Sequence, residues 1–111
     1  MEIRENNTLK ILAPLMSNLD SKVWNRIEKE ISLESRQIAL DLSRVQDCTI
    51  DFIEELKQFC TEKNLGLFNI PSDIFVLLNI MQIDKCAKLY VSENDFIEDK
   101  HLLINRKFLL V

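Results

Sequence analysis

The sequence predicts an α/β fold. It would have a mostly parallel central sheet of about four to five strands, with an N-terminal strand or hairpin, covered by about four helices. Three observations predict it. Short apolar runs alternate with amphipathic stretches of helical length. The order strand–helix–strand–helix–strand is that of βαβ units and hence of parallel pairing. The candidate strands are apolar on both faces, so helices must cover them.

Ile3 falls in a short first strand, Asn6-Asn7 marks a turn, and Thr8–Leu12 is a second strand that stops at Pro14. Asp20 or Ser21 caps a helix through about Lys29, with Val23, Trp24, Ile27 and Ile31 on one stripe. Gln37–Leu42 is a buried strand. A second helix runs from Asp51 to about Lys63. Phe52, Ile53, Leu56, Phe59 and Cys60 form its apolar face, and Glu54, Glu55, Lys57, Gln58, Glu62 and Lys63 its wet one. Leu65–Ile70 is a strand cut by Pro71. Ser72 caps a third helix to about Met81, with Ile74, Leu77, Leu78 and Met81 inward. Leu89–Val91 is a short last strand, and Ser92 caps a fourth helix with Phe96 and Ile97 inward. The apolar segment 102–111 can extend that helix, add a strand or hairpin, or serve as an interface.

At 111 residues the chain is expected to form a single domain over 1–111. A chain of that size buries roughly 65% of its unfolded surface, enough for one core without staples. A net charge of −4 argues against a nucleic-acid binder, which wants a basic patch. Cys48, Cys60 and Cys86 form no C-x-x-C pair, and their odd number suits free thiols in a reducing cytoplasm. Met1–Glu5 carries no apolar leader, and no run of 18 apolar residues predicts a membrane span. One glycine, Gly66, excludes a P-loop or a dinucleotide fingerprint, and the lone His101 leaves no nucleophile–base pair. No cofactor and no enzyme activity are expected.

The stretch Asp41, Ser43, Asp47, Thr49, Asp51 follows a predicted parallel strand and opens a helix, where ligands and switches sit in open sheets. Capping by Thr49, or by Asp51 with Glu54 three residues on, accounts for part of it. Asp47 and Asp51 without a histidine are thin for zinc, and their spacing is not that of a calcium loop. No metal site is expected.

From Ile38 to Phe96 the chain resembles a STAS domain, the family of sulfate-transporter cytoplasmic domains and anti-sigma factor antagonists. Asp41-Leu42-Ser43-Arg44-Val45 matches the family's D-L-S-x-V strand end. Counting on without gaps, Cys48 and Thr49 take the hydrophobic and aspartate positions. Ile50 and Asp51 take the Ser-Ser/Thr pair, Phe52 the glycine and Ile53 the leucine. Asn69 follows the next strand, and Leu78–Lys85 resembles L-x-x-x-G-L-D-K with Gln82 for glycine.

The resemblance implies a cytoplasmic, bacterial protein-interaction module acting in transcription signalling. The partner would be an anti-sigma kinase or a related regulator, met through Ser43, Asp47, Thr49, Asp51, Glu54, Glu55 and the helix to residue 63. The family's phosphoacceptor hydroxyl is replaced by Asp51, whose fixed charge of about −1 partly mimics a phosphate's −2. Phosphorylation at the usual position is therefore not expected. A shifted alignment, Asp47-Cys48-Thr49 over D-S-T, would make Thr49 the phosphosite. Two other expectations stand beside this one: an accessory subunit of a membrane transport complex, and a homodimer or larger homo-oligomer through the 102–111 tail.

Overall fold

Asn6 closes the first hairpin: its Oδ1 accepts from Thr8 N at 2.8 Å and Leu9 N at 3.0 Å. The hairpin joins β1 (Glu2–Glu5) to β2 (Leu9–Ala13), and the two pair antiparallel, as the sequence predicts. The computed structural model describes residues 1–62 and 64–102. Within these, β3 (Asn18–Leu19), α1 (Ser21–Ile31), β4 (Gln37–Asp41), β5 (Asp47–Cys48) and α2 (Ile50–Cys60) follow. Then come β6 (Leu65–Phe68), α3 (Ser72–Ile80), a 3-10 turn (Ile83–Lys85), β7 (Lys88–Leu89) and α4 (Glu93–Ile97). The main sheet has the order β1-β2-β4-β6-β7, and every pair after the first hairpin is parallel. Among the described residues the fold is thus α/β, a mixed five-stranded main sheet with four α-helices.

Strand residues alternate between two cores. Leu12, Leu40 and Leu67 face the core shared with Trp24, Ile27, Phe52, Ile53, Leu56, Ile74 and Leu78 of α1, α2 and α3. Trp24 meets Phe52 edge-on, with centroids 5.6 Å apart. Each such fully buried apolar side chain stabilises the fold by roughly 1.5–3 kcal/mol. Ile11, Ala39 and Phe68 face the other way, where Tyr90 and Phe96 complete a smaller core under α4. Lys10 is buried on the larger helical face, and its Nζ escapes to Glu30 O at 3.2 Å and the Glu30 carboxylate at 3.4 Å.

Three local expectations are corrected. Ser72 does not cap α3. Pro71 takes the cap position with φ −57° and ψ 145°, its carbonyl accepts from Phe75 N at 2.8 Å, and Ser72 becomes the first helical residue. Ile97 is not inward. In a five-residue helix only one of two adjacent apolar residues can face the sheet, and Phe96 takes that place, leaving Ile97 52% exposed. The second helix starts at Ile50 and ends at Cys60, short of residue 63, with Thr61 as its C-cap. The parallel β3–β5 ladder, Asn18 to Asp47 and Leu19 to Cys48, is additional to the sequence reading.

Leu102 N donates to Leu89 O at 2.7 Å, and its side chain packs against the helical core. The remainder of the apolar segment, 103–111, lies outside the described residues, as does Lys63.

Candidate functional site

The loop between β4 and α2 is built around Asp41, the last residue of the central strand. Its side chain is 7% exposed. Oδ1 accepts from Ser43 N at 3.0 Å and Asn69 Nδ2 at 3.2 Å, and Oδ2 from Arg4 Nη2 at 3.2 Å. Burial pushes this carboxyl's pKa up. The donors from Ser43, Asn69 and Arg4 outweigh it and hold the net value below the ordinary range. Asn69, which follows β6, reaches Asp41 from the left-handed region at φ 52°, a conformation that asparagine tolerates better than most residues.

The rest of the loop is pinned by main-chain bonds. Leu42 N donates to Phe68 O at 3.1 Å, Gln46 N and Asp47 N to Ser17 O at 2.8 and 3.0 Å, and Thr49 N to Leu19 O at 2.9 Å. Leu42, Val45 and Cys48 bury their side chains. Burial and the charge of Asp47 push the Cys48 thiol up to about 11. With three side chains inward and four amides bonded, the loop holds one shape and presents Ser43, Arg44, Gln46 and Asp47 to solvent.

Thr49 caps α2: its Oγ1 accepts from Phe52 N at 3.2 Å. Asp51 is therefore not the cap. It stands exposed in the first turn, where its charge complements the helix N-terminus. Asp51, Glu54, Glu55 and Gln58 line an open groove of about 270 Å³ that Ser21, at the start of α1, closes from the other side. Beside it Ile50 is 57% exposed. The structure thus brings Asp51, Glu54 and Glu55 together on one face of α2, while Thr49, half-buried, caps the helix from the loop. Ser43 and Asp47 stand exposed on the loop that leads into it.

Two features escaped the sequence reading. The sequence predicts a helix from Asp51 and so leaves the face of Ile50 open, whereas the structure makes Ile50 the first residue of α2 and leaves it exposed. A larger cavity of about 530 Å³ lies at the opposite end of the sheet, where β4 and β6 begin, under Tyr90, Phe96 and Asp99. There Tyr90 Oη donates to Asp99 Oδ1 at 2.6 Å, and Lys88 Nζ to the same carboxylate at 3.3 Å. Burial and then this acceptor push the Tyr90 hydroxyl up. The Tyr90 hydrogen bond and then Lys88 hold Asp99 down. His101, exposed, sits edge-on to Tyr90 with centroids 6.4 Å apart. Nothing in the local pattern of Asp99 announces this contact.

Among the described residues no group of three or more His, Cys, Asp or Glu is placed to hold a metal ion. None of their helices is long and apolar enough to cross a membrane. The chain matches no model of a known protein family and no curated protein.

Proposed function

We propose that this chain is a non-catalytic, STAS-like interaction module of the cytoplasm that docks a regulatory protein through the 43–49 loop and the outer face of α2. One observation carries the reading. An exposed apolar side chain, Ile50, is flanked by the acids Asp51, Glu54 and Glu55 on a helix whose start is fixed by Thr49 and by a pinned loop. An apolar anchor with a charged rim on a rigid element is the composition of a protein-docking patch. The acids fit a partner with basic groups, and the resemblance at Asp41–Val45 and Leu78–Lys85 suggests an anti-sigma kinase or a relative of one. Asp51 holds a permanent negative charge where that family modifies a hydroxyl, so the interaction is constitutive and not switched at that position.

The test is capture of partners by the full chain from its host, with mass spectrometry, alongside Ile50→Ser and Asp51→Ser. A regulator captured by the native chain and lost with either variant supports the reading. Equal capture by all three, or capture of transport proteins only, overturns it. Incubation with a captured kinase checks the switch: a phosphate on Thr49 would show that the constitutive reading is wrong.

A further inference from the structure

α3 is apolar on every side. The helix runs from Ser72 to Ile80, and residues 74 to 78 read Ile-Phe-Val-Leu-Leu. Ile74 and Leu78 are buried in the larger core, and Phe75, Leu77 and Met81 pack against it half-buried. Val76 and Ile80 point the other way and are 56% and 71% exposed. Lying four apart, they stand one above the other on the helix surface. Of the exposed large apolar side chains among the described residues, these are the only two that share a helix. Single exposed apolar residues are ordinary on a surface. A helix that is apolar all round is ordinarily covered all round.

The charge pattern says what covers it. From Ile74 to Ile83 ten residues pass without a charge, in a chain that is 29% charged. The nearest charges in sequence are Asp73 before the stretch and Asp84 and Lys85 after it. Asp73 and Lys85 are exposed, and Asp84 is half-buried. The centre of the face therefore has no charge with which to meet an acidic or basic protein. An acid at its edge and a net charge of −4 oppose an anionic membrane. The face does suit its own copy. A two-fold interface sets one patch against itself, so a charge near the axis would repel its equivalent. Here there is none. Two α3 helices crossing antiparallel set the Asp73 end of each beside the 3-10 turn of the other, which ends at Lys85.

We propose that the outer face of α3 pairs two copies of this chain about a two-fold axis between Val76 and Ile80, with Asp73 of each copy opposite Lys85 of the other. The helix is about 14 Å long, so the interface is at the small end of the range and the dimer dissociates on dilution. The inference is independent of the docking reading, which concerns α2 and the loop before it.

The experiment is sedimentation of the full-length chain from about 10 μM to about 1 mM. The expected result is a reversible monomer–dimer equilibrium. Ile80→Lys, at a solvent-facing position, should give a monomer throughout. Asp73→Lys should weaken association by about tenfold, and Asp73→Lys combined with Lys85→Asp should restore it. Circular dichroism of each variant at the dilute end separates loss of pairing from loss of fold, and Ile80→Ser replaces any variant that fails to fold. A native chain that stays monomeric throughout would overturn the proposal. So would a dimer that survives Ile80→Lys, as one formed through the apolar 102–111 segment would, or a dimer indifferent to the charge reversal.

Discussion

Arg4 on the outermost strand reaches over β2 and sets Nη2 3.2 Å from Oδ2 of Asp41 on the central strand. The same nitrogen donates to Glu93 at the start of α4, and Nη1 lies 3.2 Å from Glu2. One guanidinium therefore fastens the N-terminal hairpin, the end of β4 and the fourth helix. Asp41 is the buried member, and with it go the Ser43 turn and Asn69. Removing its charge should loosen the loop that leads into α2.

Asp41→Ala is expected to cost about 2–3 kcal/mol, because it leaves donors from Ser43, Asn69 and Arg4 without their acceptor. The pH dependence follows from the depressed carboxyl. A group with a lowered folded-state pKa stabilises the fold above its unfolded value, about 3.9, and that contribution fades as pH falls through the folded value. Urea melts between neutral pH and pH 2 should therefore show a steeper acid loss in the native chain than in Asp41→Asn. Identical acid limbs would remove Asp41 from the account.

Gly66→Ala tests the smaller core. A Cβ at this position in β6 would stand 3.0 Å from Tyr90 Cε2 and 3.2 Å from Phe96 Cδ1. Both rings are packed and Phe96 is wholly buried, so neither swings clear without losing contacts. The expected loss is about 1–3 kcal/mol. The near-ultraviolet circular dichroism should change as well, since Tyr90 and Phe96 meet edge-on at 5.4 Å. An unchanged melting temperature would mean that α4 is held loosely.

Gln82→Gly should stabilise the protein. Gln82 is exposed and takes φ 59°, where a side chain is strained by about 1–2 kcal/mol and glycine is not. Part of the gain is offset by glycine's greater freedom in the unfolded chain, leaving about 0.5–1 kcal/mol. The denaturation midpoint should rise with an unchanged slope. The resemblance sets a glycine at this position, so a loss of stability would count against it too.

Local physics explains which parts of this architecture were legible. Asp20, Thr49 and Ser92 each carry an oxygen where a helix must begin, and each caps its helix by accepting an amide, from Val23, Phe52 and Asp95. Trp24, Ile27, Phe52 and Leu56 announce their faces by spacing alone. The features that stayed hidden depend on distant chain. The β3–β5 ladder has two residues per strand and no periodicity to read. Arg4 and Asp41 are 37 residues apart, and Asp99 meets Tyr90 from the left-handed region, at φ 56°. At the candidate site, Glu54 and Glu55 lie on the polar face that helical spacing predicts, and Asp51 lies in the first turn, near the predicted helix start. Ile50 was missed because the turn of the cap decides where its side chain points.

Thr49 and Asp51 are two residues apart, yet substitution should separate their roles. Thr49→Ala removes the oxygen that holds Phe52 N and should lower stability by about 1 kcal/mol, whereas Thr49→Ser should be nearly neutral. Asp51→Ser gives up only the favourable charge at the helix start, about 0.3–1 kcal/mol, an effect that salt weakens. Chemical denaturation at low and high ionic strength distinguishes the two: the Thr49→Ala deficit persists in salt and the Asp51→Ser deficit shrinks. If Asp51→Ser proves as costly as Thr49→Ala and as insensitive to salt, Asp51 is a structural residue of the helix start, not a free surface charge.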